Sequence, residues 1–301
     1  MFKSFEELAA NLKSANVKKR LAVSAAADSH TIEAVLEAES GKIITPIFVG
    51  NEKRIIEILR SMDKEEQDYY IIDEPDDALS CKKAVALVKN HEADFLMKGK
   101  IDTSVLMKAV LDKENGLGTG SVMSHVGLFQ VPGYHKLMSI VDGGMIPYPN
   151  LQQKKAIIEN TVSALLEMGY SCPNVGILAC VEKVNPKMPE TVDAAVLKEM
   201  NQNGEIKNCV VEGPISFDCA VDKEICKIKG YESPVAGEVD IFLMPNIHTA
   251  NISAKAMMCT GNAKMAGFVA GAACPIVLSS RGASAEEKFY SIAIAAAACK
   301  K

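Results

Sequence analysis

The sequence predicts an α/β protein built on parallel β-sheet, and two features of the chain predict it. Short apolar runs, which are typical of buried strands, alternate with longer amphipathic segments, which are typical of helices. The alternation covers most of the 301 residues. A repeated strand–helix order favours a parallel sheet with helices on both faces. A chain of this length is enough for one large α/β domain or for two ordinary ones.

The first part of the chain contains an N-terminal amphipathic helix and then four strand–helix pairs. The N-terminal segment has no apolar core of the kind found in signal peptides, and no apolar run reaches the roughly 18 residues of a membrane span. We therefore expect neither a signal peptide nor a membrane helix. The predicted strands cover residues 20–27, 46–50, 69–73 and 94–99, and the helices that follow them cover residues 30–40, 53–62, 76–90 and 104–113.

The pattern changes at residues 123–144, where two apolar runs are joined at Pro132 and Gly133. Pro-Gly between two strand-like runs predicts a hairpin, and this hairpin is the best candidate for a crossover between domains. The alternation then resumes. Further strands are predicted at residues 174–180, 209–215, 238–246 and 274–280, with helices at 151–168 and 191–201. Met257, Met258 and Met265 lie at helical spacing and are predicted to pack in the core.

Composition excludes several classes of function. Charged residues make up 24% of the chain, the net charge is −5, and no basic tract is present, so a nucleic-acid surface is not expected. None of the nine cysteines forms a C-x-x-C pair. Scattered cysteines in apolar runs are typical of reduced thiols, which favours a cytoplasmic protein. His125, His135 and His248 are isolated in the sequence and are expected to be structural.

Polar residues follow several predicted strands, and parallel-sheet enzymes place their chemistry at the carboxyl ends of strands. No G-x-G-x-x-G follows the first strand and no Walker A sequence is present, so a dinucleotide or ATP phosphate loop is not expected. No His, Cys and carboxylate cluster has metal-site spacing, so no metal is expected. The strand-end candidates are Lys98, Gly99 and Thr103, then Asn246, Thr249 and Asn251, and finally Ser280 and Arg281.

Six stretches in the same order resemble the phosphate acyltransferases, and in particular phosphate butyryltransferases and phosphate acetyltransferases. They lie at residues 97–111, 119–129, 184–200, 209–221, 238–255 and 277–287, and the resemblance runs from about residue 18 to the end. This family converts acyl-CoA and phosphate into acyl phosphate and CoA. The resemblance implies a phosphate butyryltransferase. A phosphate acetyltransferase and a non-catalytic acyl-CoA-binding paralogue are the alternatives.

The resemblance also implies a fold and an assembly. The expected fold has two α/β domains with parallel or mixed sheets flanking a cleft, like that of isocitrate and isopropylmalate dehydrogenases. Residues 1–128 with 268–301 form the first expected domain, and residues 129–267 form the second. The implied state is a homodimer or a higher homo-oligomer. The implied partners are acyl-CoA and phosphate, with coenzyme A as a substrate and no further cofactor.

By resemblance, Ser280 and Arg281 match the serine–arginine pair of the family. There the arginine holds phosphate, which a guanidinium can bind with two hydrogen bonds. The serine hydroxyl lies beside the thioester sulfur. Glu287 matches an acidic residue proposed as the base toward the CoA thiol. Ser284 and Glu287 also have the spacing of a helix capping box, so a structural role for Glu287 stays open.

Other positions depart from the family or have a second interpretation. Lys108 replaces an arginine that butyryltransferases often carry, and lysine loses the planar fork. Gly118 replaces another arginine, which removes an anion-binding group unless this glycine serves a positive-φ turn. The resemblance implies a substrate-binding role for Lys108. Asn246, Thr249 and Asn251 are equally suited to be turn and N-cap residues.

Overall fold

The computed structural model describes residues 2–15, 18–279 and 282–300, which form two compact units. One consists of Phe5–Ser121 and Ala266–Lys301 and is called the bipartite unit below. The other consists of Val122–Met265 with the N-terminal residues up to Ser4 and is called the central unit. Each unit is an α/β structure, and the predicted α/β class is confirmed.

Eleven helices and eleven strands follow one another in the described residues. The helices are α1 Phe5–Ala15, α2 Ser29–Ser40, α3 Glu52–Ser61, α4 Asp77–Lys89, α5 Thr103–Val110, α6 Leu151–Glu167, α7 Pro189–Gln202, α8 Phe217–Val221, α9 Lys223–Lys229, α10 Ile247–Gly261 and α11 Ala285–Ala298. The strands are β1 Lys19–Ser24, β2 Ile44–Gly50, β3 Tyr70–Asp73, β4 Phe95–Lys98, β5 Ser124–Gln130, β6 Met138–Val141, β7 Asn174–Leu178, β8 Val210–Ile215, β9 Ile241–Leu243, β10 Lys264–Ala270 and β11 Ile276–Val277. None of the described helices combines the length and apolar character needed to cross a membrane.

The strands of the bipartite unit lie in the order β3-β2-β1-β4-β11-β10. All neighbouring pairs from β3 to β11 are parallel, and β10 pairs with β11 in the antiparallel sense. The four predicted strand–helix pairs are confirmed, each within a few residues of its predicted limits. Because β1, β4 and β11 are adjacent and parallel, their carboxyl ends lie side by side at one edge of the sheet.

The central unit has the strand order β5-β6-β9-β7-β8. Strands β5 and β6 form the predicted antiparallel hairpin, and Gly133 has the positive φ of 91° that its turn requires. The other neighbours are parallel. Buried side chains such as Phe129, Ile140 and Phe242 form the core of this unit. The short helices α8 and α9 were not predicted, because they are too brief to show a helical period.

One strand was also missed. The spacing of Met257, Met258 and Met265 predicts a single helix, which is wrong for Met265 because that residue lies in strand β10. Helix α10 ends at Gly261, because the next residue, Asn262, has a left-handed φ of 53° that stops the helix. The predicted core role of all three methionines is confirmed, since they pack against the buried core of the central unit.

The loop after β4 passes very close to the end of β1. The N–H of Gly99 donates a hydrogen bond of 2.8 Å to the carbonyl oxygen of Ser24, and the N–H of Lys100 donates one of 3.2 Å to that of Ala25. A Cβ atom on Gly99 would lie 2.2 Å from the Ala25 oxygen and 2.6 Å from the Ser24 oxygen. Only glycine allows the two backbones to approach this closely.

We therefore expect Gly99→Ala to destabilise the protein. The methyl group would collide with backbone atoms that cannot rotate away, and overpacking of this kind costs about 1–3 kcal/mol. Gly118→Ala is the matched control, because a Cβ atom there meets nothing within 4 Å. Urea unfolding of both variants measures the difference. Equal midpoints for the two variants would contradict the steric account of Gly99.

Candidate active site

A cavity of about 850 Å³ opens at the carboxyl ends of the bipartite unit's parallel strands. We call it the strand-end cavity. This edge of an open α/β sheet is where ligands bind in proteins of this class. Five sequence segments meet there: the turn before α2, the start of α4, the loop after β4, the end of β11 and the first turn of α11. Its lining includes Asp28, Lys98, Gly99, Asp102, Ser279 and Lys288.

Lys98 is buried, and its ammonium group forms hydrogen bonds with the backbone of the loop after β4. Its Nζ atom donates hydrogen bonds of 3.2 Å and 3.0 Å to the carbonyl oxygens of Gly99 and Ile101. Thr103 begins α5 and is exposed, and Lys108 is exposed in the last turn of the same helix. Among the described residues, the structure thus brings Lys98 and Gly99 into the cavity lining but leaves Thr103 and Lys108 outside it. Their substrate-binding roles stay predictions.

Ser280 and Arg281, the predicted catalytic pair, lie outside the described residues. Their neighbours in the chain are described on both sides. Ser279 lines the strand-end cavity, and α11 begins a few residues further on, at Ala285.

The carboxyl group of Glu287 does not cap its own helix. The Oγ atom of Ser284 accepts a hydrogen bond of 3.1 Å from the Glu287 N–H, which is one half of a capping box. The reciprocal bond, from the Ser284 N–H to the Glu287 carboxyl group, is not formed among the described contacts. Glu287 is half-buried, and burial raises the pKa of its carboxyl group, against the opposing charge of Lys288. Glu287 is not among the described residues that line the strand-end cavity, and its role as the base stays a prediction.

Asp28 lies across the cavity lining from α11 and is held as a carboxylate. Its Oδ2 atom accepts hydrogen bonds of 3.0 Å and 2.7 Å from the N–H and hydroxyl of Thr31, so Asp28 is the N-cap of α2. Burial acts to raise the pKa of Asp28, but the Thr31 hydrogen bond and the charges of Lys288 and Lys100 outweigh it and lower the pKa. The Nζ atom of Lys288 lies 3.6 Å from the same oxygen.

Lys288 was missed by the sequence analysis. It is the one lysine in a helix that is otherwise mostly apolar after its first turn, and it is followed directly by Phe289 and Tyr290. A charged residue inside an apolar helix is a recognisable sign of a buried charge. That sign draws attention to Lys288, although the sequence does not show which face of α11 is buried.

A second cavity of about 520 Å³ adjoins the strand-end cavity and shares Asp28 and Lys100 with it. The first turn of α3 supplies Lys53 and Arg54 to its lining, and Glu57 supplies a carboxylate. Phosphate groups are favoured at helix N-termini and beside cations. This second cavity therefore places three cations, Lys53, Arg54 and Lys100, beside the strand-end cavity.

The candidates of the central unit form a separate group. Asn246 caps α10, and its Oδ1 atom accepts hydrogen bonds of 3.0 Å and 3.1 Å from the N–H and hydroxyl of Thr249. The side-chain amide of Asn251 donates one of 3.2 Å to the carbonyl of Gly143. The N-cap interpretation of Asn246 is confirmed. Asn246 and Thr249 also line a mainly apolar cavity of about 540 Å³, and a substrate role for them stays a prediction.

The histidines and acidic groups show local structural contacts. His135 pairs with Glu238 at 3.0 Å. Burial lowers the pKa of His125, against the charge of Asp142, and keeps its ring neutral. Among the described residues, one group has metal-ligand spacing, formed by Glu182, Asp218 and Cys219. The Nζ atom of Lys229 lies 2.8 Å from both carboxylates and balances their charge.

Gly118 does not serve a positive-φ turn, so that interpretation is wrong. The positive φ of this loop belongs to Gly120, at 82°. Gly118 forms an isolated bridge with Ala272 and has open space where a side chain would begin. An arginine there would meet no steric obstacle at its Cβ atom. The glycine is therefore not required by the backbone.

Comparison with known proteins agrees with the resemblance found in the sequence. The model of the family described as "Phosphate acetyl/butaryl transferase" matches residues 77–296. A phosphate butyryltransferase of Clostridium acetobutylicum is 40% identical over 296 residues, which is 98% of each chain. A phosphate acetyltransferase of Thermotoga maritima is 44% identical over 278 residues, which is 92% of this chain and 94% of that one.

Solved structures agree as well. A branched-chain phosphotransacylase from Enterococcus faecalis V583 matches with a TM-score of 0.83 and 27% identity, over 93% of this chain and 99% of that chain. A 4-hydroxythreonine-4-phosphate dehydrogenase from Klebsiella pneumoniae matches with a TM-score of 0.56 over 94% of this chain and 100% of that chain. At 14% identity the second similarity concerns the fold alone, and it agrees with the predicted dehydrogenase-like fold.

Proposed function

The chain belongs to the phosphate acetyl/butaryl transferase family, and from that membership we propose that it transfers a short acyl group between coenzyme A and inorganic phosphate. The reaction is acyl-CoA plus phosphate giving acyl phosphate plus CoA. The observation that carries this proposal is the similarity to named phosphate acyltransferases over nearly the whole chain. The substrates are acyl-CoA and phosphate.

A butyryl group is the proposed acyl group. Two clostridial phosphate butyryltransferases match over 98% of this chain, and a branched-chain phosphotransacylase is among the similar structures. An acetyl group is the second candidate, because the phosphate acetyltransferase of Thermotoga maritima is 44% identical. The two activities use the same chemistry and differ in the length of chain that the site accepts.

The chemistry assigns a step to each predicted catalytic residue. A phosphate oxygen attacks the thioester carbonyl carbon, the new C–O bond forms, and the C–S bond breaks as CoA thiolate leaves. Arg281 holds the attacking phosphate and Ser280 donates a hydrogen bond toward the sulfur, where negative charge develops. Glu287 gives the thiolate its proton and is protonated again by the proton that hydrogen phosphate loses on becoming acyl phosphate; in the reverse direction Glu287 takes the proton from the CoA thiol. A raised carboxyl pKa brings such an acid–base group nearer to neutral pH.

The cellular compartment, the cofactor requirement and the oligomeric state are also proposals. The nine cysteines are all free thiols, which supports a reducing compartment such as the cytoplasm. We propose that no metal or additional cofactor takes part, since phosphate attack on a thioester needs none. We also propose a homodimer or a higher homo-oligomer, as the family resemblance implies.

A panel of acyl-CoA substrates tests the function. Acetyl-, propionyl-, butyryl- and isobutyryl-CoA are each mixed with phosphate, and the free thiol is followed. We expect butyryl-CoA to give the highest kcat/KM, with acetyl-CoA lower by roughly tenfold or more, because each methylene in an apolar pocket is worth about 1–3 kcal/mol. The highest value for acetyl-CoA would identify an acetyltransferase. CoA binding without phosphate-dependent thiol release would indicate the non-catalytic paralogue.

Replacing Arg281 by lysine should impair the use of phosphate while the fold is retained. Lysine keeps the charge but loses the two-pronged contact, and one charged hydrogen bond is worth about 1.5–3 kcal/mol. That range corresponds to roughly a ten- to hundredfold loss in kcat/KM for phosphate. Steady-state kinetics in the phosphate-consuming direction measures it. Arg60→Lys is the control, since Arg60 pairs with Glu66 on the surface. An unchanged phosphate kcat/KM for Arg281→Lys would contradict the assignment of Arg281 as the phosphate-binding residue.

Glu287→Gln should slow the direction that consumes acyl phosphate and CoA by roughly 10²-fold. Glutamine cannot accept the thiol proton. In the wild type this rate should rise with pH through the raised pKa of Glu287, and the variant should lose that dependence.

Stability provides the control for Glu287→Gln. A carboxyl group with a raised pKa binds its proton more tightly in the folded state, so ionisation at neutral pH lowers the stability of the wild type. Glutamine cannot ionise, and the variant should melt at the same temperature or higher at pH 7. Normal turnover with normal melting would show that Glu287 is not the base.

A further inference from the structure

Four lysines in the described residues are at least nine-tenths buried, and three of them have close partners. Their exposed fractions are 5% for Lys98, 1% for Lys136, 6% for Lys154 and 6% for Lys288. Lys98 donates to two backbone carbonyl oxygens. Lys136 lies 2.8 Å from Asp240, and Lys154 lies 2.7 Å from Asp193. Hydrogen bonds or ion pairs therefore offset the cost of burying these three charges.

Lys288 differs from the other three. Its Nζ atom donates no hydrogen bond to any described residue, and its nearest carboxylate oxygen, on Asp28, is 3.6 Å away. That Asp28 oxygen already accepts two hydrogen bonds from Thr31. A buried ammonium group has three donors and is costly to keep without acceptors. The side chain lines the strand-end cavity, so the cavity is where its acceptors can come from.

We propose that Lys288 binds the phosphate group of the reaction, as a substrate-binding residue that the sequence motifs do not identify. The inference rests on the proposed function for the identity of the ligand. A phosphate oxygen in the strand-end cavity supplies the acceptors that the ammonium group lacks. Lys288 follows Glu287 directly in α11, and Ser279 at the end of β11 lines the same cavity. The ligand at Lys288 therefore lies beside the elements that flank Ser280 and Arg281 in the chain.

A purely structural ion pair between Lys288 and Asp28 is the competing explanation. The 3.6 Å separation is longer than the 2.7 Å and 2.8 Å of the two buried pairs in the central unit. Asp28 is also stabilised without Lys288, by Thr31 and by the N-terminus of α2. Loss of Lys288 should therefore leave the Asp28 carboxylate with its hydrogen bonds to Thr31. The two explanations predict opposite effects on stability.

The first test uses Lys288→Met and inorganic phosphate as the probe. Phosphate should raise the Tm of the wild type, as any ligand of the folded state does, and this rise should be absent in the variant. Without phosphate, the Tm of the variant should be unchanged or higher, because an unsatisfied buried charge has been removed. Lys154→Met is the matched control, where breaking a buried pair should lower the Tm and leave the phosphate-induced rise intact.

The second test is kinetic and separates phosphate from the phosphates of CoA. Lys288→Met should raise the KM for phosphate roughly ten- to hundredfold, with the KM for CoA in the reverse direction within about twofold of wild type. Lys288→Arg, which keeps a cation, should recover most of the phosphate affinity and covers the case in which the methionine variant fails to fold. An equal rise in both KM values would place the nucleotide phosphates of CoA at Lys288 and overturn the proposal.

The outcomes of the two tests also distinguish a failure of this inference from a failure of the proposed function. The wild type could show no phosphate-dependent thiol release while its phosphate-induced Tm rise is lost in Lys288→Met. That result would contradict the proposed function and support the anion site at Lys288. If the wild type is active and Lys288→Met keeps both its phosphate KM and its Tm rise, the inference alone fails. An inactive wild type whose Tm does not respond to phosphate would overturn both.

Discussion

The close approach of Gly99 to the end of strand β1 is the constraint on which the candidate site depends. Because carbonyl oxygens of Ser24 and Ala25 occupy the space of a Cβ atom, the loop after β4 is fixed against β1. Lys98, the residue before Gly99, is buried, and its ammonium group donates hydrogen bonds to the carbonyl oxygens of Gly99 and Ile101 in the same loop. The strand-end cavity is the space left in front of this loop, between the turn before α2 and the start of α11.

The lining of that cavity carries four aspartates and three lysines, so an anion can be held there only by individual donors that the aspartates leave unpaired. The Asp28 carboxylate accepts two hydrogen bonds from Thr31, and these bonds hold it without a hydrogen bond from Lys288, whose charge nevertheless helps to lower the Asp28 pKa. Lys98 donates to two backbone carbonyl oxygens, whereas Lys288 lines the cavity and donates no hydrogen bond to any described residue. Glu287, one residue before it, is half-buried with a raised pKa. A buried cation and a half-buried carboxyl group, the proposed base, therefore follow each other in the first turn of one helix.

The order of strands and helices could be predicted from the sequence because the signals are local. Each of β1 to β4 is a short apolar run, and each following helix begins at a polar cap such as Asp28 or Asn51. Strand β10 could not be predicted, because Met265 continues a helical spacing that only the left-handed Asn262 interrupts. The strand-end rule led to Lys98 and Gly99, since parallel strands share one functional edge. Lys288 was not predicted, because its burial depends on which face of α11 packs against the rest of the protein, and tertiary contacts decide that.

A crystal structure of the protein grown with inorganic phosphate tests the central claim most directly. The account predicts a phosphate ion in the strand-end cavity, with one oxygen within about 2.7–3.0 Å of the Lys288 Nζ atom. Asp28 should keep its bonds to Thr31 in that complex. A phosphate ion bound elsewhere, with Lys288 hydrogen-bonded to Asp28 and only water in the cavity, would contradict the account.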